Sequence, residues 1–176
     1  MDTRAAFNYT VLLIAESSDD RARVALAFVR AAPNVRLGIA HNAGEARSYL
    51  LGAGIYRDRD AYPPPQLILL DLDLPQKSAF DFLQWLRAAP GLKQIPVIVL
   101  TSSGQSSDVD RAYALGVNSC LLKTVDEKII SNIAKGIGDY AALLEHRFCR
   151  DFRGYETISE DRGRSSDEFS ALCIDE

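Results

Sequence analysis

The chain alternates between short, uninterrupted apolar runs and longer segments in which apolar residues recur every three or four positions. A continuous run rich in Val, Ile and Leu is typical of a strand buried on both faces of a sheet, whereas the longer spacing is typical of an amphipathic helix. We therefore predict five such strands, at residues 10–15, 35–40, 66–71, 96–101 and 118–122.

Each predicted strand is followed by a segment with a helix start signal, an acidic or small polar residue just before an apolar stripe. The first helix is predicted to begin near Asp19 and Asp20, and the other four are predicted to begin near Asn42, Ser78, Ser107 and Thr124. The last helix contains Gly136 and Gly138, each of which costs about 1 kcal/mol relative to alanine in a helix interior. This helix is therefore predicted to bend or fray at its glycines.

Strict alternation of strands and helices selects a parallel sheet with right-handed crossovers and helices on both faces. The predicted fold class is doubly wound α/β, with a domain at residues 10–146 after an N-terminal extension at residues 1–9. Residues 147–176 are only one-third apolar and carry five basic against eight acidic residues. We expect this segment to be a polar, mobile C-terminal tail.

Charge and composition exclude several classes of function. Twenty basic against 24 acidic residues give a formal net charge of −4, so no basic surface for nucleic acid is expected. Every apolar run is shorter than the roughly 18 residues of a membrane span, and the N-terminus lacks a signal-peptide core, which favours a cytoplasmic protein without membrane contact. Three cysteines and two histidines without a CxxC pair indicate neither a disulfide framework nor a zinc site.

Polar residues that could handle a phosphoryl group follow four of the predicted strands. Because ligands of parallel sheets bind beyond the carboxyl ends of the strands, we expect these residues to share one rim. They are Glu16, Asp71, Asp73, Thr101 and Lys123. Carboxylates can hold Mg²⁺ or act as a nucleophile, a hydroxyl can contact a phosphoryl oxygen, and an ammonium can neutralise charge. Singly, each residue is more simply explained as a helix cap or a solvated charge, so the hypothesis depends on the combination.

The segments around these residues resemble the receiver domain of two-component response regulators, over about residues 10–146. The matching segments are 11–20 (VLLIAESSDD), 67–75 (LILLDLDLP), 97–102 (VIVLTS) and 116–123 (GVNSCLLK). The long loop at residues 52–66, which contains three consecutive prolines, resembles the stand-alone receivers that pair with bacterial phytochromes.

The resemblance implies a flavodoxin-like strand order of 2-1-3-4-5 and a role in a phosphorelay. By resemblance, Asp71 accepts a phosphoryl group from a sensor histidine kinase, and Thr101 and Lys123 contact its oxygens. Glu16, Asp71 and the backbone carbonyl of Asp73 are the implied Mg²⁺ ligands. Output through protein contacts is also implied, including a homodimer formed by the fourth helix, fifth strand and fifth helix. The tail is too short and polar for a DNA-binding module, so we expect no output domain there.

Three positions depart from the family pattern. Ala15 stands where an acid is usual, which predicts weak Mg²⁺ binding because the charge of the ligands sets affinity for hard cations. Cys120 replaces an aromatic switch residue, and Thr124 replaces a proline. Two alternatives therefore stay open: a degraded receiver that binds partners without phosphorylation, and a phosphatase that uses the Asp71 and Asp73 pair.

Overall fold

The computed structural model describes residues 9–75, 78–123 and 127–145. Five strands are present: β1 (Tyr9–Ile14), β2 (Val35–Ala40), β3 (Leu67–Asp71), β4 (Val97–Thr101) and β5 (Ser119–Leu122). Five α-helices alternate with them: α1 (Ser18–Ala31), α2 (Ala43–Leu51), α3 (Ser78–Ala88), α4 (Ser106–Ala114) and α5 (Glu127–Glu145). A short 3₁₀ helix, Gly54–Arg57, follows α2.

The predicted strand boundaries agree with the structure to within one residue. Strand β1 begins at Tyr9, one residue before the predicted start of the domain. Residues 1–8, Thr124 and the predicted tail at 147–176 lie outside the described residues.

The strands form one parallel sheet in the order β2-β1-β3-β4-β5, which confirms the predicted doubly wound, flavodoxin-like fold. The register sets Asp71 beside Leu100, and Thr101 beside Leu122. The ends of β3 and β4 and the residue after β5 therefore lie along one rim of the sheet.

Two apolar layers enclose the central strands. On one face, Leu12 and Leu70 pack with side chains of α2, α3 and α4, while on the other Leu13 and Leu69 pack with α1 and α5. The prediction that all five strands are buried on both faces was wrong for the edge strands, because β2 and β5 are largely only partly buried. An edge strand has a neighbour on one side only, so the layers cover it less completely.

Helix α5 runs without interruption through both of its glycines, so the predicted fraying does not occur there. A Cβ atom at Gly138 would lie 2.9 Å from the Cβ atom of Ala32, at the end of α1. The carbonyl of Gly138 also accepts a hydrogen bond of 3.1 Å from the side-chain amide of Asn34. Gly138 therefore allows close packing of α5 against the end of α1.

The predicted long loop is ordered by its own side chains. The guanidinium of Arg59 donates to the carbonyls of Tyr49 and Leu50 at the end of α2, at 2.8 and 2.9 Å. The hydroxyl of Tyr56 donates to Glu45 at 2.6 Å, and burial together with this contact raises the pKa of Tyr56 to about 12.

None of the helices in the described ranges is long and apolar enough to cross a membrane.

Candidate functional site

Asp71 and Lys123 form the centre of the rim. Asp71 ends β3 and is only 3% exposed. Lys123 follows β5, and its backbone N–H donates to the carbonyl of Thr101 at 2.7 Å. Its ammonium nitrogen reaches past β4 to lie 2.6 Å from Oδ1 of Asp71. The pair therefore joins two strands that are not neighbours in the sheet.

Asp73 contributes both backbone and side chain to this centre. Its N–H donates to Oδ1 of Asp71 at 2.8 Å, and its own Oδ2 lies 3.2 Å from the ammonium of Lys123. The same oxygen accepts a hydrogen bond of 2.9 Å from the N–H of Ser102. The family resemblance implied only a backbone role for Asp73, so the contacts of its carboxylate with Lys123 and Ser102 were not predicted.

Asp20 is a further site residue that the sequence analysis missed. It lies in the first turn of α1, and its Oδ2 is 2.9 Å from the ammonium of Lys123. The hydroxyl of Ser17 caps this turn by accepting from the N–H of Asp20 at 3.3 Å. The sequence analysis treated Asp20 only as a helix start signal. Because α1 begins just after β1, a carboxylate in its first turn lies near the same rim.

Thr101 is buried at the rim, with its hydroxyl engaged by the loop after β4. The hydroxyl accepts from the N–H of Ser103 and donates to the carbonyl of the same residue, both at 3.1 Å. Oδ1 of Asp73 is an alternative acceptor at 3.4 Å. The structure thus brings Thr101 beside Asp73.

Glu16 lies after β1 and is exposed at the mouth of the same site. Its carbonyl accepts from the guanidinium of Arg21, which also bonds the carbonyl of Ala15 at 3.0 Å. These bonds hold the turn between β1 and α1, so Glu16 stays at the rim. No described residue bonds its carboxylate.

An open cavity of about 520 Å³ connects these groups, and its lining carries a formal charge of −2. The lining comprises Glu16, Asp20, Asp71 and Asp73, the cations Arg23 and Lys123, and two serines, Ser17 and Ser102. Within the described ranges, no three His, Cys, Asp or Glu side chains are grouped so that they could hold a metal ion. Mg²⁺ commonly needs only one or two carboxylates and keeps several waters, so the charge and the oxygen donors fit such an ion.

The ionisation of the three central groups follows from burial and pairing. Burial raises the pKa of Asp71, although Lys123 and the N–H of Asp73 partly offset this effect. For Asp73, burial acts in the same direction, but the bonds from Ser102 and Lys123 outweigh it and lower the pKa. Burial opposes the charge on Lys123, yet the carboxylates of Asp71 and Asp20 raise its pKa. The lysine is therefore cationic at neutral pH.

Cys120 occupies the position of the family's aromatic residue on β5 and is partly buried. Its N–H donates to the hydroxyl of Tyr113 at 3.2 Å. Tyr113 belongs to α4 and is 49% exposed. The aromatic side chain of Tyr113, on α4, therefore contacts the backbone of the edge strand β5 at Cys120.

Comparison with known proteins agrees with this geometry. Residues 13–135 match the family model described as "Response regulator receiver domain". The response regulator Rcp1 of Synechocystis is 34% identical over 130 residues, which are 74% of this chain and 86% of Rcp1.

Solved structures of related proteins share the fold. The phosphorylated cyanobacterial phytochrome response regulator RcpA superposes with a TM-score of 0.67 at 29% identity, covering 77% of this chain and 94% of RcpA. The Mn²⁺-bound form of Rcp1 gives a TM-score of 0.64 at 33% identity, covering 75% of this chain and 93% of Rcp1. With its parallel sheet and with Asp71 and Lys123 paired at the rim, the chain belongs to the response regulator receiver domain family.

Proposed function

We propose that this chain is a phosphorelay receiver that accepts a phosphoryl group on Asp71 from a sensor histidine kinase. The observation that carries the proposal is the contact of 2.6 Å between the buried carboxylate of Asp71 and the ammonium of Lys123. Asp73 and Thr101 complete a rim whose groups suit a phosphoryl group. The output of the receiver passes through protein contacts.

The chemistry is nucleophilic displacement at phosphorus. The carboxylate of Asp71 contacts the N–H of Asp73 and the ammonium of Lys123 through Oδ1, so Oδ2 is the oxygen that attacks. An O–P bond forms on Asp71 while the P–N bond of the kinase phosphohistidine breaks, and the electron pair leaves with the imidazole nitrogen. Lys123 neutralises charge on the transferred group, because a preorganised cation is effective where water is excluded.

The oxygen donors at the rim fit Mg²⁺ as the cofactor. Glu16, Asp71 and the backbone carbonyl of Asp73 would hold the ion, with water completing its shell. When bound, the ion supplies positive charge that screens the carboxylates from the incoming phosphoryl group.

The two alternatives are less well supported by the same site. A degraded receiver would have no need to keep Asp71, Thr101 and Lys123 together at one rim. A phosphatase of the Asp-x-Asp type is expected to carry its acid pair after the first strand of its core, whereas Asp71 ends β3. Asp73 is also bonded to Ser102 and Lys123, which lowers its pKa and makes it a poor proton donor at neutral pH.

Incubation with acetyl phosphate and Mg²⁺, read by intact mass, tests the proposed function. The expected result is the addition of one phosphoryl group, which hydroxylamine removes because acyl phosphates react with it. Samples with a chelator or without the donor are the controls and are expected to stay unlabelled. An unchanged mass at saturating donor and Mg²⁺ would favour the degraded receiver. Steady hydrolysis of p-nitrophenyl phosphate would favour the phosphatase.

We propose that Mg²⁺ binds weakly because Ala15 contributes no charge. Ala15→Asp is expected to tighten Mg²⁺ binding in calorimetry and to lower stability without Mg²⁺, since position 15 is 2% exposed and would hold a buried carboxylate. Ser18→Asp adds the same charge at an exposed neighbouring position and is the matched control. Equal affinity in the wild type and Ala15→Asp would mean that the other acids already complete the site.

We also propose that the chain forms a homodimer through α4, β5 and α5. Large side chains stand exposed on all three elements: Tyr113 at 49%, Leu122 at 51%, Tyr140 at 54% and Leu143 at 66%. Sedimentation velocity is expected to show a dimer that Leu122→Lys weakens. Leu51→Lys, at a 64% exposed leucine on α2, is the control and is expected to leave the dimer intact. A monomer at high wild-type concentration would contradict the proposal.

A further inference from the structure

The ammonium of Lys123 contacts three carboxylates from two different parts of the fold. Asp71 and Asp73 approach from the end of β3, at 2.6 and 3.2 Å, and Asp20 approaches from α1 at 2.9 Å. An ammonium has three N–H donors, so each carboxylate can receive one of them. Lys123 is thus held from opposite sides, and its side chain is only 12% exposed.

Asp20 is the only described acid that reaches Lys123 from the β1 side of the rim. Ala15, at the end of β1, is buried and uncharged, and no described residue bonds the carboxylate of Glu16. The side chain of Asp20 is 25% exposed, so its charge is partly shielded from water by the site. Asp20, five residues further along the chain, therefore provides a carboxylate on the side of the rim where Ala15 has none.

We propose that Asp20 is a positioning residue that holds the ammonium of Lys123 during phosphoryl transfer, an inference that rests on the proposed function. Lysine has a flexible four-carbon stem, and partners on β3 alone would let its ammonium follow Asp71 as the carboxylate becomes an acyl phosphate. Asp20 is not the proposed phosphoacceptor, so its carboxylate is not itself modified when Asp71 becomes an acyl phosphate, and it can keep its contact with Lys123. The ammonium consequently stays where it can neutralise the transferred group.

Two simpler roles for Asp20 make different predictions. As a helix start signal, Asp20 would be equivalent to its exposed neighbour Asp19, which shares the first turn of α1. As a metal ligand, Asp20 would chiefly affect the Mg²⁺ requirement. Its carboxylate is already paired with the ammonium of Lys123 at 2.9 Å.

A double-mutant cycle tests the positioning role. The wild type, Asp20→Asn, Lys123→Ala and the double variant are labelled with acetyl phosphate in two series, one over a range of donor concentrations at saturating Mg²⁺ and one over a range of Mg²⁺ concentrations at saturating donor. Asp20→Asn is expected to lower the maximal labelling rate about tenfold with little change in the half-saturating donor concentration, because a displaced catalytic group loses rate. In the Lys123→Ala background, Asp20→Asn is expected to have no further effect, since interacting residues are not additive.

Two single variants and a stability measurement complete the design. Asp20→Glu keeps the charge and is expected to recover part of the lost rate, and Asp19→Asn is expected to behave as wild type. Thermal unfolding of each variant identifies any loss of rate that comes from loss of the fold. If Asp20→Asn does not fold, partial recovery of the labelling rate by Asp20→Glu still tests the positioning role.

Three results would overturn the inference, and they can be told apart. An equal loss from Asp20→Asn in both backgrounds would mean that Asp20 acts independently of Lys123. A change confined to the half-saturating Mg²⁺ concentration would identify a metal ligand instead. Absence of labelling in the wild type would contradict the proposed function, and the positioning role would then have no basis.

Discussion

Asp71→Asn is expected to remove all phosphoryl labelling and to raise the free energy of unfolding at neutral pH by about 1 kcal/mol. The carboxylate of Asp71 is 3% exposed, and burial raises its pKa above the ordinary value of 3.8 despite the contact with Lys123. Burial at this position therefore disfavours the charge of the proposed nucleophile. Asparagine has nearly the same shape and carries no charge.

The sign of the pH dependence follows from proton binding. Between pH 3.8 and the raised pKa, the folded state binds a proton at Asp71 more readily than the unfolded chain does. The wild type consequently loses stability as pH rises through this window. The advantage of Asp71→Asn should be small below the window, grow through it and stay constant above it.

Urea unfolding at a series of pH values measures this difference. Asp81→Asn, at an exposed acid on α3, makes the same substitution outside the site and is the matched control. If Asp71→Asn were less stable than the wild type at neutral pH, the attraction of Lys123 would outweigh burial and the account of this pKa would be wrong.

Lys123→Ala is expected to slow labelling of Asp71 by about 100-fold or more. The ammonium is the only cation that the described residues bring into direct contact with Asp71, and removing one preorganised electrostatic group costs a factor of about 10²–10³ in rate. The loss should appear with acetyl phosphate as well as with a kinase donor, because it acts at the phosphoryl group.

Lys135→Ala is the matched control for this prediction. Lys135 is an exposed lysine of α5 that pairs with Asp139 at 2.6 Å and is not among the residues that line the rim cavity. Its removal is expected to leave the labelling rate unchanged. A change of less than about threefold in Lys123→Ala would contradict the role assigned to the ammonium.

The convergence of Asp71, Thr101 and Lys123 could be predicted because a parallel sheet brings the carboxyl ends of its strands to one rim. Strand positions come from continuous apolar runs, and the residue after each run is then placed by topology alone. The sequence therefore sufficed for the fold class, for the strand order through the family resemblance, and for which of these residues would lie near one another.

Contacts made between distant segments could not be predicted in the same way. Asp20 reaches Lys123 only because of how α1 leaves β1, and an acid in a first helical turn is equally well explained by the helix dipole. Gly138 looked like a defect of α5, since propensity counts a glycine without its surroundings. Glycine is needed at this position because Ala32 approaches closely and the side chain of Asn34 bonds the carbonyl of Gly138. Both residues are more than 100 positions away in the chain.

The carboxylate of Asp73 shows the same limitation on a smaller scale. The family resemblance implied a backbone role for Asp73, and the bond of its side chain to Ser102 depends on the loop that follows β4. The partial burial of the edge strands was also missed, because an apolar run does not reveal how many neighbours a strand has.

The central claim is that the side chain of Asp71 receives the phosphoryl group, and reductive trapping tests it most directly. Borohydride converts an aspartyl phosphate to homoserine, which peptide mass spectrometry locates to a single position. The account predicts homoserine at position 71, only in protein treated with both acetyl phosphate and Mg²⁺. Homoserine at position 20 or 73, or a labelled protein that yields none at position 71, would contradict it.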